Sequence, residues 1–142
     1  MEHNILQQAA RLLDERYRKP IHTVAAVLVA KDGTRYEATN IDHFSGYVCA
    51  EMAALSNAIN SGALNFDLIG AVRKNADLQT SVANPCGKCR QILHDYAPGV
   101  KVFVADDENI TQKTIEELLP YPFTRQKEKI LESRMTYEVG DK

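Results

Sequence analysis

Cys49-Ala50-Glu51 and Pro85-Cys86-Gly87-Lys88-Cys89-Arg90 together contain every cysteine of the chain. Thiolates are natural zinc ligands. Three of them leave the fourth corner of a tetrahedral ion open to water, whereas a structural zinc closes all four. Cys86 and Cys89 stand at i and i+3, so on one helical turn both sulfurs face the same side and reach a single ion. Cys49 supplies the third. Glu51 lies near enough to meet the water without being a ligand, and a carboxylate there can take up a proton and deliver it to a substrate. Hydrolytic attack on an amidine-like carbon, with loss of ammonia, needs these parts and no organic cofactor.

Three thiolates around one divalent ion give a formal charge of −1, which weakens the ion's hold on its water. Two helix N-termini aimed at the cluster offset part of that, each offering roughly half a unit of positive charge. Arg90, directly after the last cysteine, is placed to hydrogen-bond a thiolate. Other readings of the thiols stand beside this one. The set can be a structural clip or three buried cysteines, with Glu51 an ordinary first-turn acid. His94 offers a fourth ligand that would close the site. Cys86 and Cys89 alone can also form a redox pair, although that leaves Cys49 and Glu51 unexplained.

The elements that must position these residues follow from periodicity and punctuation. Ile5, Leu6, Ala9, Leu12, Leu13 and Tyr17 keep helical spacing, which predicts a helix over residues 4–18, ended by Pro20. Thr23 to Ala30 is a continuous apolar run, as in a strand covered on both faces. Asp32-Gly33 signals a tight hairpin into an antiparallel strand from Arg35 to about Asn40. After a loop from Ile41 to Tyr47, a helix is expected from about Cys49 to Ser61, with Gly62 as its C-terminal cap. Leu68 to Arg73 reads as a third strand. Pro85 is expected in the first turn of a helix reaching Tyr96, and Val100 to Ala105 forms a fourth strand. Thr111 is expected to cap a short helix through Leu119, stopped by Pro120. The charged tail 124–142 is expected to be a helical extension. Strands alternating with helices imply one α/β domain with a mixed sheet flanked by helices, both cysteine motifs opening helices.

A chain of 142 residues, 44% hydrophobic and 25% charged, is one ordinary globular domain. Seventeen basic against nineteen acidic side chains give a net charge of −2, with no basic stripe of the kind that grips a phosphate backbone. Six tyrosines, four phenylalanines and no tryptophan offer little for stacking a run of bases. No nucleic-acid partner is expected. No run approaches the ~18 apolar residues of a membrane span, and Met1-Glu2-His3-Asn4 carries no apolar signal core. No membrane partner is expected either. An odd count of three cysteines suits a reducing compartment, so the expected location is cytoplasmic.

Cys49-Ala50-Glu51 followed by Pro85-Cys86-Gly87-Lys88-Cys89-Arg90-Gln91 resembles the signature of the cytidine deaminase family. The likeness runs from about residue 4 to Phe123, so residues 1–123 form the expected domain. It includes the apolar first strand, the Asp-Gly hairpin, Asn40 before the loop, and Leu118-Leu119-Pro120 with an aromatic three residues on. Within the family, His22-Thr23-Val24, His43-Phe44 and Pro98-Gly99-Val100-Lys101 are also similar to blasticidin-S deaminases. The resemblance implies a three-layer fold, one zinc ion per chain on Cys49, Cys86 and Cys89, and Glu51 as proton shuttle. It implies attack of an activated water at C4 of a cytosine ring, the main chain at Ala50 holding the exocyclic amine. Asn40 matches the asparagine that holds the ribose. Asp42 stands where cytidine deaminases have a glutamate sharing that task, and blasticidin-type enzymes have no acid. His22 replaces a frequent base-stacking aromatic. Met52 stands where many small members carry an arginine near the thiolates. Phe123 matches a C-terminal aromatic that reaches a neighbouring subunit's pocket in homotetramers, a dimer being the alternative. The expected activity is hydrolytic deamination of cytidine or deoxycytidine in pyrimidine salvage. Its rivals are deamination of an aminoacyl-cytosine antibiotic of the blasticidin type and a non-catalytic, zinc-stabilised nucleoside-binding module.

Overall fold

The computed structural model describes residues 3–125. The apolar run becomes β1 (Val24–Ala30), and its alternation explains the architecture. Ala25 and Val27 face one side of the sheet and Ala26 and Leu28 the other, all four fully buried. A strand with no polar face must be covered twice.

Helix α1 (His3–Arg16) covers the first face, packing Ile5, Leu6, Ala9 and Leu13 on Ala25, Val27, Leu68, Val72 and Phe103. The opposite face is covered by α2 (Ala50–Asn60) and α3 (Gly87–Tyr96), which bring Ala54, Leu55, Ala58 and Leu93 onto Ala26, Leu28, Ile69 and Val102. The result is three layers, with the sheet between α1 and the α2/α3 pair.

The sheet runs β2 (Arg35–Thr39), β1, β5 (Phe66–Lys74), β7 (Lys101–Ala105), β8 (Ile110–Thr114), and it is mixed. Strand β1 pairs antiparallel with β2 and β5, whereas β5 and β7 are parallel in the register Leu68↔Lys101 and Ile69↔Val102. Parallel neighbours need a crossover, and here α3 supplies it. The β1–β2 hairpin turns at Gly33, whose φ of +90° suits glycine, while Thr34 N–H donates to Asp32 Oδ1 at 2.9 Å. At the end of α2, Gly62 has φ +91°, and the bonds Ala63 N–H to Ala58 O and Gly62 N–H to Ile59 O close the helix as a paired glycine cap.

Four details differ from the sequence expectation. The stretch from Ile41 to Val48 is not a plain loop. It forms a small exposed hairpin of β3 (Ile41–His43) and β4 (Gly46–Val48). A further short strand, β6 (Thr80–Val82), pairs with the end of β5. Thr111 caps no helix; it lies within edge strand β8. The cap of α4 (Ile115–Leu118) is Thr114, in a reciprocal capping box with Glu117. Pro85 sits one residue before the Cys86 N-cap of α3, outside its first turn. The helical extension expected over 124–142 lies, past Arg125, outside the described residues. Among the described residues, no helix is long and apolar enough to cross a membrane.

Candidate active site

Cys49 and Cys86 are the N-cap residues of α2 and α3. Each therefore sits where a helix presents unpaired main-chain N–H groups and the positive end of its dipole. Cys86 Sγ accepts the Cys89 N–H at 3.4 Å, a sulfur performing the capping role usually taken by oxygen. Cys89, one turn into α3, is completely buried, Cys49 is half-buried and Cys86 is exposed. The cluster therefore has a closed side against the core and an open side toward solvent.

The three sulfurs lie within 4.8 Å of one another, and Cys49 Sγ and Cys86 Sγ are 3.7 Å apart. A tetrahedral zinc with bonds of ~2.3 Å requires sulfurs ~3.8 Å apart. The donor set fits that ion. Electrostatics point the same way. Burial pushes the Cys89 thiol far up, and the Glu51 charge adds to it. Burial likewise raises Cys49. Burial also opposes ionisation of Cys86, but N–H groups of Cys89 and Lys88 and the neighbouring thiols outweigh it, so Cys86 moves down. Three sulfurs this close ionise together only with a cation among them.

Glu51 lies in the first turn of α2 and is only 7% exposed. Burial raises its pKa, its own main-chain N–H opposing. A carboxyl held high by desolvation is suited to exchanging protons near neutral pH. Ala50, the first residue of α2, is buried beside it.

Arg90 departs from the expectation drawn for it. Its Nε donates to Pro85 O at 2.9 Å and its Nη1 to Leu118 O at 3.2 Å, so the guanidinium braces main chain on either side of α3 rather than a sulfur. Met52 packs against the core. Asn84, which the sequence did not single out, exchanges two bonds with Ala105, Nδ2 donating to its carbonyl at 2.9 Å and Oδ1 accepting its N–H at 2.8 Å. These contacts hold the segment that delivers Cys86.

Asn40 is fully buried. Its Oδ1 accepts from Thr23 N–H at 2.7 Å and Val24 N–H at 2.9 Å, and its Nδ2 donates to Tyr47 Oη at 2.9 Å. His22 places Nδ1 2.9 Å from Asn40 O. Asp42 is exposed on β3 and pairs across the hairpin with Tyr47. Burial raises the Tyr47 hydroxyl's pKa, the Asn40 bond opposes this, and charges at Cys49, Asp42 and Glu51 raise it further. Tyr47 is thus a neighbour of the centre that sequence reasoning missed. Its link to Asn40 crosses a hairpin of three-residue strands. Phe123 lies elsewhere. Gln91 takes its N–H and gives to its carbonyl, both at 2.9 Å, and Phe123 lines a groove of about 760 Å³ with His94, Tyr96 and Pro98. His94 also lines that groove and has Asp95 Oδ1 3.4 Å away, and it is not among the clustered ligand atoms.

Residues 1–105 match the family model described as the cytidine and deoxycytidylate deaminase zinc-binding region. This chain belongs to the cytidine deaminase family. It is 34% identical over 127 residues to blasticidin-S deaminase of Bacillus cereus, covering 85% of this chain and 91% of that one. It is 34% identical over 107 residues to cytidine deaminase of Sporosarcina psychrophila, covering 72% and 76%. Its fold superposes on the crystal structure of a cytidine deaminase from Burkholderia pseudomallei with a TM-score of 0.72 at 25% identity, covering 87% of this chain and 99% of that one. The family's zinc-binding character and the spacing of the three sulfurs agree on one zinc site. Membership also makes the chain a hydrolytic deaminase, which retires the reading as a non-catalytic binding module.

Proposed function

We propose that this enzyme deaminates a free cytosine nucleoside, cytidine or deoxycytidine, to the uracil nucleoside. The observation that carries the reading is the buried Glu51 carboxyl, in the first turn of the helix that Cys49 caps and near enough for its charge to act on Cys89, beside three sulfurs within 4.8 Å of one another. Cys49, Cys86 and Cys89 would hold the zinc, which supplies the positive charge that makes water a nucleophile at neutral pH. Glu51 takes a proton from the attacking water and passes it to ring N3. Once the C4–O bond has formed, Glu51 takes the proton left on the added oxygen and delivers it to the amine, so that the C4–N bond breaks, the C4 carbonyl forms and ammonia leaves. Desolvation raises the Glu51 pKa, which favours its taking up the first proton.

The main chain at Ala50 orients the amine, and His22, Asn40 and Asp42 line the approach to the sugar. Phe123 is tied to Gln91 and lines a groove that includes none of the three cysteines or Glu51, which supports its assignment to the pocket of a second copy in a homotetramer or dimer. Three thiols without a disulfide suit a reducing cytoplasm. Deamination of blasticidin S is the second reading, favoured by the relative that spans 91% of its own length. Zinc-loaded enzyme assayed in parallel on cytidine, deoxycytidine and blasticidin S decides. Ammonia release from either simple nucleoside at the higher kcat/KM supports the proposal; release from blasticidin S alone overturns it.

A further inference from the structure

The three sulfurs are held by unequal means. Cys89 is completely buried and Cys49 half-buried, so packing helps to fix where they point. Cys86 is exposed, and its direction rests on its main chain. Resting on the assignment of the three cysteines as zinc ligands, we infer that Arg90 is a positioning residue for the metal centre. With its main chain and its side chain it grips the peptide carbonyls on both sides of Cys86, and so sets the direction in which that cysteine offers its sulfur.

A side chain leaves its Cα in a direction set by the two planar peptide units that meet there. At Cys86 the angles between them are φ −70° and ψ 170°. The helix itself fixes only the second unit, through Arg90 N–H donating to Cys86 O at 3.0 Å. The first unit carries Pro85 O, one residue upstream of the first carbonyl that α3 pairs. Here the Arg90 side chain takes over, its Nε donating to Pro85 O at 2.9 Å. One residue therefore holds both units.

The far end of the guanidinium is anchored as well. Nη1 donates at 3.2 Å to Leu118 O, among the carbonyls that the end of α4 leaves unpaired. Helix α4 is held in turn by the fully buried Ile115 and by the Thr114–Glu117 capping box. A guanidinium is planar and rigid and carries only donors, so it can bridge two carbonyls at a set separation. A lysine ammonium is a point on a flexible stem and lacks that fork. Groups this close to a metal are useful only when held within about 0.5 Å of their working place.

The role is independent of the nucleoside that is turned over, so the test reads the metal. Zinc-loaded full chain is mixed with an excess of a chromogenic zinc chelator, and the release rate is measured at 25 °C for wild type, Arg90→Lys, Arg90→Met and Gln91→Met. Partners that orient a metal ligand typically contribute roughly 10–100-fold to metal affinity, and both Arg90 variants should release zinc faster by a factor in that range. Gln91 is the control. It also binds the C-terminal segment, at the main chain of Phe123, but neither carbonyl beside Cys86, so Gln91→Met should release zinc near the wild-type rate. Loaded with cobalt(II) instead, the Arg90 variants alone should show an altered sulfur-to-metal absorption band. Should Arg90→Met fail to fold, Arg90→Lys decides, since it keeps the charge and the stem. Release from Arg90→Lys at the wild-type rate means that charge suffices without the fork, and overturns the inference. Gln91→Met as fast as the Arg90 variants overturns it too, because loosening the C-terminal segment is then enough. Wild type that takes up no zinc refutes the ligand assignment itself, a different failure from a loaded protein whose variants release alike.

Discussion

The two faces of the central sheet use the same packing for different ends. Under α1, Ile5, Leu6, Ala9 and Leu13 meet the sheet in a closed apolar layer that contains none of the three cysteines and not Glu51. Gly70 shows how tightly it is closed, for a Cβ there would come within 2.9 Å of Leu6 and 3.1 Å of Phe103. On the other face, α2 and α3 bury Ala54, Leu55, Ala58 and Leu93, but both begin at cysteines, and the layer opens at that end. One face stores stability alone. The other converts the same apolar contact into the fixed spacing of three sulfurs and a carboxyl.

Substitutions should separate the faces. Cys89→Ser should remove bound zinc and bring ammonia release to background, measured as metal content per chain beside turnover. Retention of a full equivalent of zinc would break the assignment of ligands. Glu51→Gln should keep zinc and fold and lower kcat about 10³-fold or more; a variant within tenfold of wild type would remove Glu51 from the proton path. Leu13→Ala, beneath α1, should cost about 2–5 kcal/mol, seen as a Tm lower by about 10 °C. Its kcat and zinc content at 25 °C should match wild type, and a fall in kcat there would erase the contrast between the faces.

The smallest effect lies at the α4 capping box. Thr114 N–H and hydroxyl bonds hold the Glu117 carboxyl below its ordinary 4.5. A depressed folded-state pKa stabilises the protein above the unfolded value and ceases to do so as pH falls through the folded one. The Tm advantage of wild type over Glu117→Gln should therefore be present at pH 6 and fade below about pH 4.5. An advantage that persists at pH 3 would mean the cap acts without charge.

Much of this architecture is legible in the amino-acid sequence. The run from Thr23 to Ala30 has no polar face, which forces a covered strand and hence layers. The three cysteines are few, and their spacing admits few alternatives. What sequence reasoning misses is short or directional. Strands β3, β4 and β6 have three residues each, too few for a period of two to be read. Edge strand β8, Ile110-Thr111-Gln112-Lys113-Thr114, is polar because its outer side faces water, so its pattern imitates a helix start. Arg90 has a clear place in the chain but no legible partner, since composition gives a charge no direction. Tyr47 gains its meaning from a hairpin that only the folded chain reveals.

Asn84 has a consequence for the tolerance of the chain to changes of length. Its amide makes with Ala105 the pair of bonds that an antiparallel residue makes with its main chain, so the ladder gains one rung built from a side chain. From that rung to the Cys86 sulfur the path runs through only Pro85. The distance between the sheet and the third vertex of the cluster is therefore set by covalent geometry, with no slack. An insertion between 84 and 86 would be read directly as a misplaced sulfur, whereas the turn at 75–79, upstream of the rung, can grow without the centre sensing it.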